Sequence, residues 1–255
     1  MADIGVSTNG YVTTVELQRP PNNFLDVGWI SDLAEVYERL DDDPNCRAIV
    51  LAAAGKHFCA GANLARRLDP NAPAEAPGRH LYHEAHRLIR TKKPVVAAVH
   101  GAAVGAGLGL ALVADFRVAC EDARFSANFA RQGYHPGFGT TCTLPRIVGA
   151  QKAAWLLYTG ERIDGREALA IGLVDKLVPS AEVRSAAQAM AAEIAASGPL
   201  AVQATRAMLR RALEVEFVEA THHEFFEQTW LRATDDFKEG VKAMNERRDP
   251  DFRGR

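Results

Sequence analysis

The sequence has no Cys-x-x-Cys pair; its four cysteines, Cys46, Cys59, Cys120 and Cys142, are scattered. That excludes a dense disulfide framework and points to reduced thiols. No His, Cys, Asp or Glu group has ligand spacing, so no metal is expected. There is no long basic run and the net charge is −2, which argues against nucleic acid or an anionic membrane as the main partner. Met1 to Gly10 lacks a basic segment followed by an apolar one, so no signal peptide is read and a cytoplasmic protein is expected. What remains is ordinary globular composition, 47% hydrophobic and 24% charged. The 255 residues suffice for one large domain, or a domain with a small appendage.

Pro94 to Asp115, PVVAAVHGAAVGAGLGLALVAD, organises the rest. Val95 to Val99 reads as a buried strand. Four glycines follow, Gly101, Gly105, Gly107 and Gly109, and then an apolar helical pattern. Strand, glycine turn, helix is the preferred reading. Such a turn presents free backbone N–H groups, suited to an anion or to a carbonyl oxygen that gains charge during reaction. Three alternatives compete. About 20 apolar residues span a bilayer, but His100 interrupts the run. A dinucleotide or phosphate loop needs G-x-G-x-x-G or Gly-Lys-Ser/Thr, and neither is present. Close packing of glycines against a neighbouring element stays open on this stretch alone.

Around it, two strands flank Asn9-Gly10 over residues 4–17, and Arg19-Pro20-Pro21 ends the second. Asp26 caps a helix whose apolar face carries Ile30, Leu33, Val36, Tyr37 and Leu40. Ala48 to Ala53 is a short buried strand, followed by a loop from Gly55 to Asn63. Residues 66–78, rich in proline and alanine, read as a lid-like loop. A helix is expected from about Arg79 to Thr91, with Leu81, Tyr82, Ala85, Leu88 and Ile89 on its apolar face and His86 on the flank. Strands follow at Phe116–Cys120 and near Phe125. Repeating strand–strand–helix units to about residue 175 suggest a mixed α/β core. From Ala181 the pattern is helical, with Ser180 as a cap and Gly198-Pro199 as a break.

The chain resembles the crotonase (enoyl-CoA hydratase/isomerase) superfamily over essentially its whole length. The segments are Gly55-Lys-His-Phe-Cys-Ala-Gly-Ala-Asn-Leu64, Lys93-Pro-Val-Val-Ala-Ala-Val-His-Gly101, Gly105-Ala-Gly107, Leu144-Pro-Arg-Ile-Val-Gly149, Tyr158-Thr-Gly-Glu-Arg-Ile163, Ala168-Leu-Ala-Ile-Gly-Leu-Val174, Asp235-Asp-Phe-Lys-Glu-Gly240 and Glu246-Arg-Arg-Asp-Pro-Asp-Phe252. Their order and spacing carry the resemblance. It implies an α/β fold: a spiral of repeated ββα units over 1–195 with an acyl-CoA site, and a helical C-terminal oligomerisation region over 196–255. It implies a homotrimer or hexamer. No tightly bound cofactor is implied, and coenzyme A enters as part of a thioester substrate. The thioester oxygen is expected between the N–H groups of Ala62 and Ala106, which follow Gly61 and Gly105. The adenine is expected near Ala60 to Ala62. Lys56, Arg66 and Arg67 are candidates for the phosphates, and Arg247 for the cofactor of a neighbouring subunit.

The pattern also breaks. Hydratases of the family use two glutamates, and the resemblance sets them at Gly109 and Phe129; Gly109 is expected to leave space where a carboxylate stands. The dehalogenase branch, which has an aspartate nucleophile at the position of Gly137, is disfavoured too. Proton transfer then falls to other side chains: His135 first, then His86, with Tyr134 and Arg131 behind them. Cys59 and Cys142 read better as small core hydrophobes than as nucleophiles. Asn63 reads as a turn cap. Two functions follow: an acyl-CoA lyase or isomerase that does not use two-glutamate hydration, or a non-catalytic acyl-CoA binding protein.

Overall fold

The computed structural model describes residues 3–63 and 80–255. The loop read over 66–78, and Arg66, Arg67 and Arg79 with it, lies outside them. The chain opens with a hairpin. Strands β1 (Ile4–Asn9) and β2 (Val12–Leu17) pair antiparallel from Ile4↔Leu17 to Asn9↔Val12. Gly10 takes the left-handed turn, φ +59°. Helix α1 (Val27–Asp42) begins where Asp26 accepts the N–H of Trp29 at 2.9 Å. Strand β3 (Ala48–Ala53) is buried along its whole length. Helix α2 (Leu81–Ile89) is capped by His80 and buries Leu81, Tyr82, Ala85, Leu88 and Ile89.

The central stretch holds one element more than the strand–turn–helix reading allows. Strand β4 (Val95–Val99) is followed first by β5 (Ala102–Val104) and only then by helix α3 (Ala106–Val113). The next unit repeats this, with β6 (Phe116–Ala119) and β7 (Arg124–Ser126). Then come α4 (Thr140–Val148), α5 (Ala150–Thr159), β8 (Arg162–Asp164), α6 (Gly165–Ala170) and β9 (Lys176–Leu177). The large sheet has the order β1-β2-β3-β4-β6-β9 and is parallel from β2 onward. The small sheet is β5-β7-β8. Each repeat thus sends its first strand into the large sheet and its second into the small one, which produces the expected spiral. Parallel strands covered on both faces read as continuous apolar runs, as β3 and β4 do.

Helix α7 (Val183–Ala195) lies across β2, β3, β4 and β6 on the small side chains of Ala187, Ala191 and Ala195. Ser180 does not cap it; Ser180–Glu182 is a separate 3-10 turn, and the helix has no side-chain cap. Helix α8 (Pro199–Leu231) is 33 residues long, and α9 (Asp235–Glu246) follows it. The buried residues of α8 are Arg206, Arg210, Phe217, Thr221, Glu224 and Gln228. They fall three, four or seven apart, so they make one stripe down the helix. All but one are polar, and each has a partner. Arg206 Nε and Arg210 Nη1 grip the partly buried Asp115 at 2.9 and 2.6 Å. Thr221 meets His86, Glu224 receives Gly139 and Thr141, and Gln228 receives Tyr82 and Tyr134. No helix among the described residues is long and apolar enough to cross a membrane.

Candidate active site

Two loops meet over the central glycines. A Cβ on Gly107 would collide with the carbonyl oxygen of Cys59, so only glycine lets the loop before Asn63 seat against α3. Close packing of glycines is therefore part of what this stretch does. Gly61 has φ +87°, and a Cβ there would stand 2.6 Å from Val104 O and 3.6 Å from the nitrogen of Ala106. The amides of Ala62 and Ala106 are brought side by side in this way.

The direction of each amide follows from its neighbour. Gly61 O accepts the N–H of Leu25 at 2.9 Å, and in a trans peptide the Ala62 N–H points the opposite way. Gly105 O accepts Gly109 N–H at 3.1 Å, down the helix, so the Ala106 N–H points out of the helix start. Neither N–H has an acceptor among the described residues. Both alanines line a cavity of about 690 Å³.

Of the other expected site residues, Lys56, Ala60, Gly61, Gly105 and Tyr134 line the same cavity. His86, His135 and Arg247 are not among its lining residues. His135 turns its Nδ1 to the carbonyl of Pro136 at 2.8 Å. Its own carbonyl serves the site instead, accepting Gln228 Nε2 at 2.9 Å. His86 lies 2.6 Å from Thr221 Oγ1. Burial, then the neighbouring His222 and His83, push its pKa down to about 4, so it is neutral near pH 7. Arg247 is the exposed left-handed cap at the end of α9, φ +55°. Arg131 pairs with Asp249. Asn63 is exposed and lines the cavity; the turn it was expected to cap lies outside the described residues. Burial pushes both Cys59 and Cys142 up to about 12, which keeps them as un-ionised, core-filling thiols.

The space beside Gly109 is not open. A Cβ on Gly109 would stand 2.7 Å from Phe138 Cβ and 2.9 Å from its Cδ1. Phe138 is fully buried and left-handed, φ +60°. An aromatic ring thus fills the place expected for a carboxylate. Phe129 is buried, with its ring over Gly105. A Cβ on Gly137 would run into the hydroxyl of Tyr82, so an aspartate does not fit there.

Several polar side chains of the cavity escaped the sequence reading, among them Tyr82, Gln228 and Arg232. Gln228 Nε2 donates to the carbonyls of His135 and Pro136, which can only accept. That fixes the amide, so Gln228 Oε1 must face the two tyrosines. The hydroxyls of Tyr82 and Tyr134 donate to it at 2.8 Å each. Arg232 Nε then donates to the Tyr134 oxygen at 2.7 Å. Tyr82 was legible only as an apolar face residue. The available signal for Gln228 was the stripe of spaced polar residues on α8. His80 lines the cavity as well; its Nδ1 accepts the N–H of Tyr82 at 3.2 Å. No group of three or more potential metal ligands is present among the described residues.

Two groups behind the site, buried Glu224 and half-buried His86, give opposite pH responses. Burial raises Glu224 to about 7 from 4.5, against the hydrogen bonds of Thr141 and Gly139. A raised carboxyl holds its proton better folded than unfolded, so its contribution to stability falls as pH climbs from 4.5 to about 7. His86 is lowered from 6.5 to about 4, so its contribution rises as pH climbs from about 4 to 6.5. Glu224→Gln is expected to make the thermal midpoint climb more steeply with pH than in the wild type, and His86→Asn to make it climb less. Melting curves at several pH values check this; three parallel pH profiles would refute it.

The ββα spiral is the fold of the crotonase superfamily. The Enoyl-CoA hydratase/isomerase family model matches residues 7–255, and the chain belongs to that family. It is 35% identical over 260 residues to an (E)-benzylidenesuccinyl-CoA hydratase of Thauera aromatica, covering 98% of this chain and 99% of that one. It is 32% identical over 257 residues to a carnitinyl-CoA dehydratase of Proteus mirabilis, covering 98% of each. A crystal structure of an enoyl-CoA hydratase/isomerase from Pseudoalteromonas atlantica superposes with TM-score 0.90 at 30% identity, over 98% of this chain and 100% of that one.

Proposed function

We propose that this chain is an acyl-CoA lyase or isomerase that holds a thioester carbonyl between the N–H groups of Ala62 and Ala106. The observation that carries this is the pair of adjacent amides lining one cavity, neither with an acceptor among the described residues. Two preorganised donors of this kind stabilise an enolate-like oxyanion, and losing one typically costs about 10²–10³ in rate. The reaction does not follow the two-glutamate route, because Gly109 and Phe129 stand at those positions and Phe138 packs the first. Lys56 and Arg124 supply positive charge for the phosphates of coenzyme A, with the adenine beside Ala60. The reading extends to a cytoplasmic homotrimer or hexamer, with 196–255 as the region of subunit contact and Arg247 reaching a neighbour's ligand. Exposed Leu200, Met208, Leu209 and Val215 on α8 support that contact.

The test removes one donor and keeps the helix. Ala106 is the first residue of α3, a position where proline is tolerated. In wild type, the carbonyl stretch of bound crotonyl-CoA, read by isotope-edited infrared difference, is expected to move to lower frequency. In Ala106→Pro the move should largely disappear. A wild-type carbonyl that keeps its solution frequency would sink the proposal. The second reading, a non-catalytic acyl-CoA binder, draws on the apolar packing at both glutamate positions. Turnover of any member of a panel of enoyl-, β-keto-, malonyl- and aryl-CoA esters would eliminate it.

A further inference from the structure

Among the described residues, four arginines carry a buried side-chain nitrogen with no hydrogen-bond partner: Arg47, Arg206, Arg210 and Arg232. Arg206 and Arg210 have Asp115 to balance them. Arg47 stacks on the Tyr11 ring, 3.5 Å from its centroid, and donates to Ala195 O. Arg232 is the one of the four that lines the cavity. Only its Nε–H is used, on Tyr134; Nη1 and Nη2 have no acceptor and the guanidinium no carboxylate partner among the described residues. A half-buried cation with its outer edge unsatisfied carries a desolvation cost that an anionic ligand would offset. The Nη1–Nη2 edge is the edge that grips a carboxylate with two hydrogen bonds.

The small sheet orders the cavity around the amides. Arg124 pairs with Ala102, and Lys56 packs against Gly101, both at the start of β5. Gly105 lies three residues on, about 10 Å at strand rise. Beyond it stands the ring of Phe129, whose carbonyl accepts the N–H of Tyr134 at 3.1 Å. Lys56 and Arg124 are therefore at one side of the amide pair, and Tyr134 with Arg232 at the other. A thioester seated on the amides with its coenzyme toward Lys56 sends its acyl chain toward Arg232. Tyr134, fixed by Gln228, holds the guanidinium, whose carbon lies 5.5 Å from the ring centroid.

We propose that Arg232 receives a carboxylate at the far end of the acyl group, so that the site takes coenzyme A monothioesters of dicarboxylic acids. The inference rests on the thioester reading of the same cavity. The test compares dissociation constants, by calorimetry, for malonyl-, succinyl- and glutaryl-CoA against propionyl-, butyryl- and pentanoyl-CoA. At one chain length or more, the wild-type protein is expected to favour the carboxylated ester by about tenfold. Arg232→Gln should bring that ratio to within about twofold of one, and Arg232→Lys should keep part of it. No preference at any length in the wild type overturns the proposal, whether or not a variant folds. A preference that survives Arg232→Gln also overturns it. Equal weakening of both esters in Arg232→Gln assigns the guanidinium to the coenzyme phosphates instead. If no ester binds, the thioester reading falls and this inference with it.

Discussion

Asp115→Ala is expected to cost the fold about 3–5 kcal/mol, because it strands two buried guanidiniums. Asp115 sits at the end of α3 with its Oδ2 on the N–H of Val95 at 2.8 Å, and it is the acid that Arg206 and Arg210 share. Burial alone would raise its pKa; the two arginines outweigh burial and hold the carboxyl below its ordinary range. Arg206 also donates to Thr91 O, and Arg210 to Val113 O at 2.8 Å. Carbonyls satisfy their geometry but carry no countercharge. A domain of this size should lose about 6–20 °C in thermal midpoint. Replacing all three groups by apolar residues, Asp115→Leu with Arg206→Met and Arg210→Met, should cost less than the single change. Denaturant titration of both variants is the check. A single variant within 1 kcal/mol or so of wild type would mean the triad is not what joins α8 to the sheet.

Gly109→Glu is the second large effect, and it runs against the intuition that a missing carboxylate can be put back. The new Cβ would be 2.7 Å from Phe138 Cβ and 3.0 Å from its carbonyl oxygen. Overpacking of that kind costs about 1–3 kcal/mol. An unpaired carboxylate in the same apolar place adds several more. The variant should be strongly destabilised, and with Phe129→Glu added it should still fail to hydrate crotonyl-CoA. Gly109→Glu combined with Phe138→Gly should recover part of the loss, since glycine accepts the left-handed backbone that phenylalanine now strains. Unfolding curves and an absorbance assay for loss of the enoyl thioester decide it. Wild-type stability in Gly109→Glu alone would show that Phe138 does not fill that position.

Local signals carried the elements with strong patterns. The continuous apolar run placed β3 at its observed limits, and Asp26 does cap α1. Strand β5 was missed because three residues after Gly101 are too short for any period to register. The amides of Ala62 and Ala106 were named through the family resemblance, and the glycine before each fits the close approach of the two loops. At the polar end of the cavity, Tyr134 alone was legible as a site residue. Gln228 and Arg232 lie far along the chain from Tyr82 and Tyr134, and only the packing of α8 against α2 brings them together. His86 and His135 drew attention by residue type, yet one is spent on Thr221 and the other offers the site its backbone. Phe138 shows the same limit. A vacant position in a sequence is not a vacant volume, because the occupant can come from another loop.

The long C-terminal helix has a consequence for alignment. Its buried contacts run from Arg206 to Gln228, about 33 Å at helical rise. A greasy seam would tolerate sliding by a turn, because one aliphatic contact substitutes for another. Here a slip of four residues would leave only one of the two arginines at the acid and take the glutamine from its tyrosines in the same step. Those losses arrive together, so intermediate positions have no compensating contacts. The helix works as a key with matched teeth: the acid beside the start of β4, at one end, sets where Arg232 stands at the other.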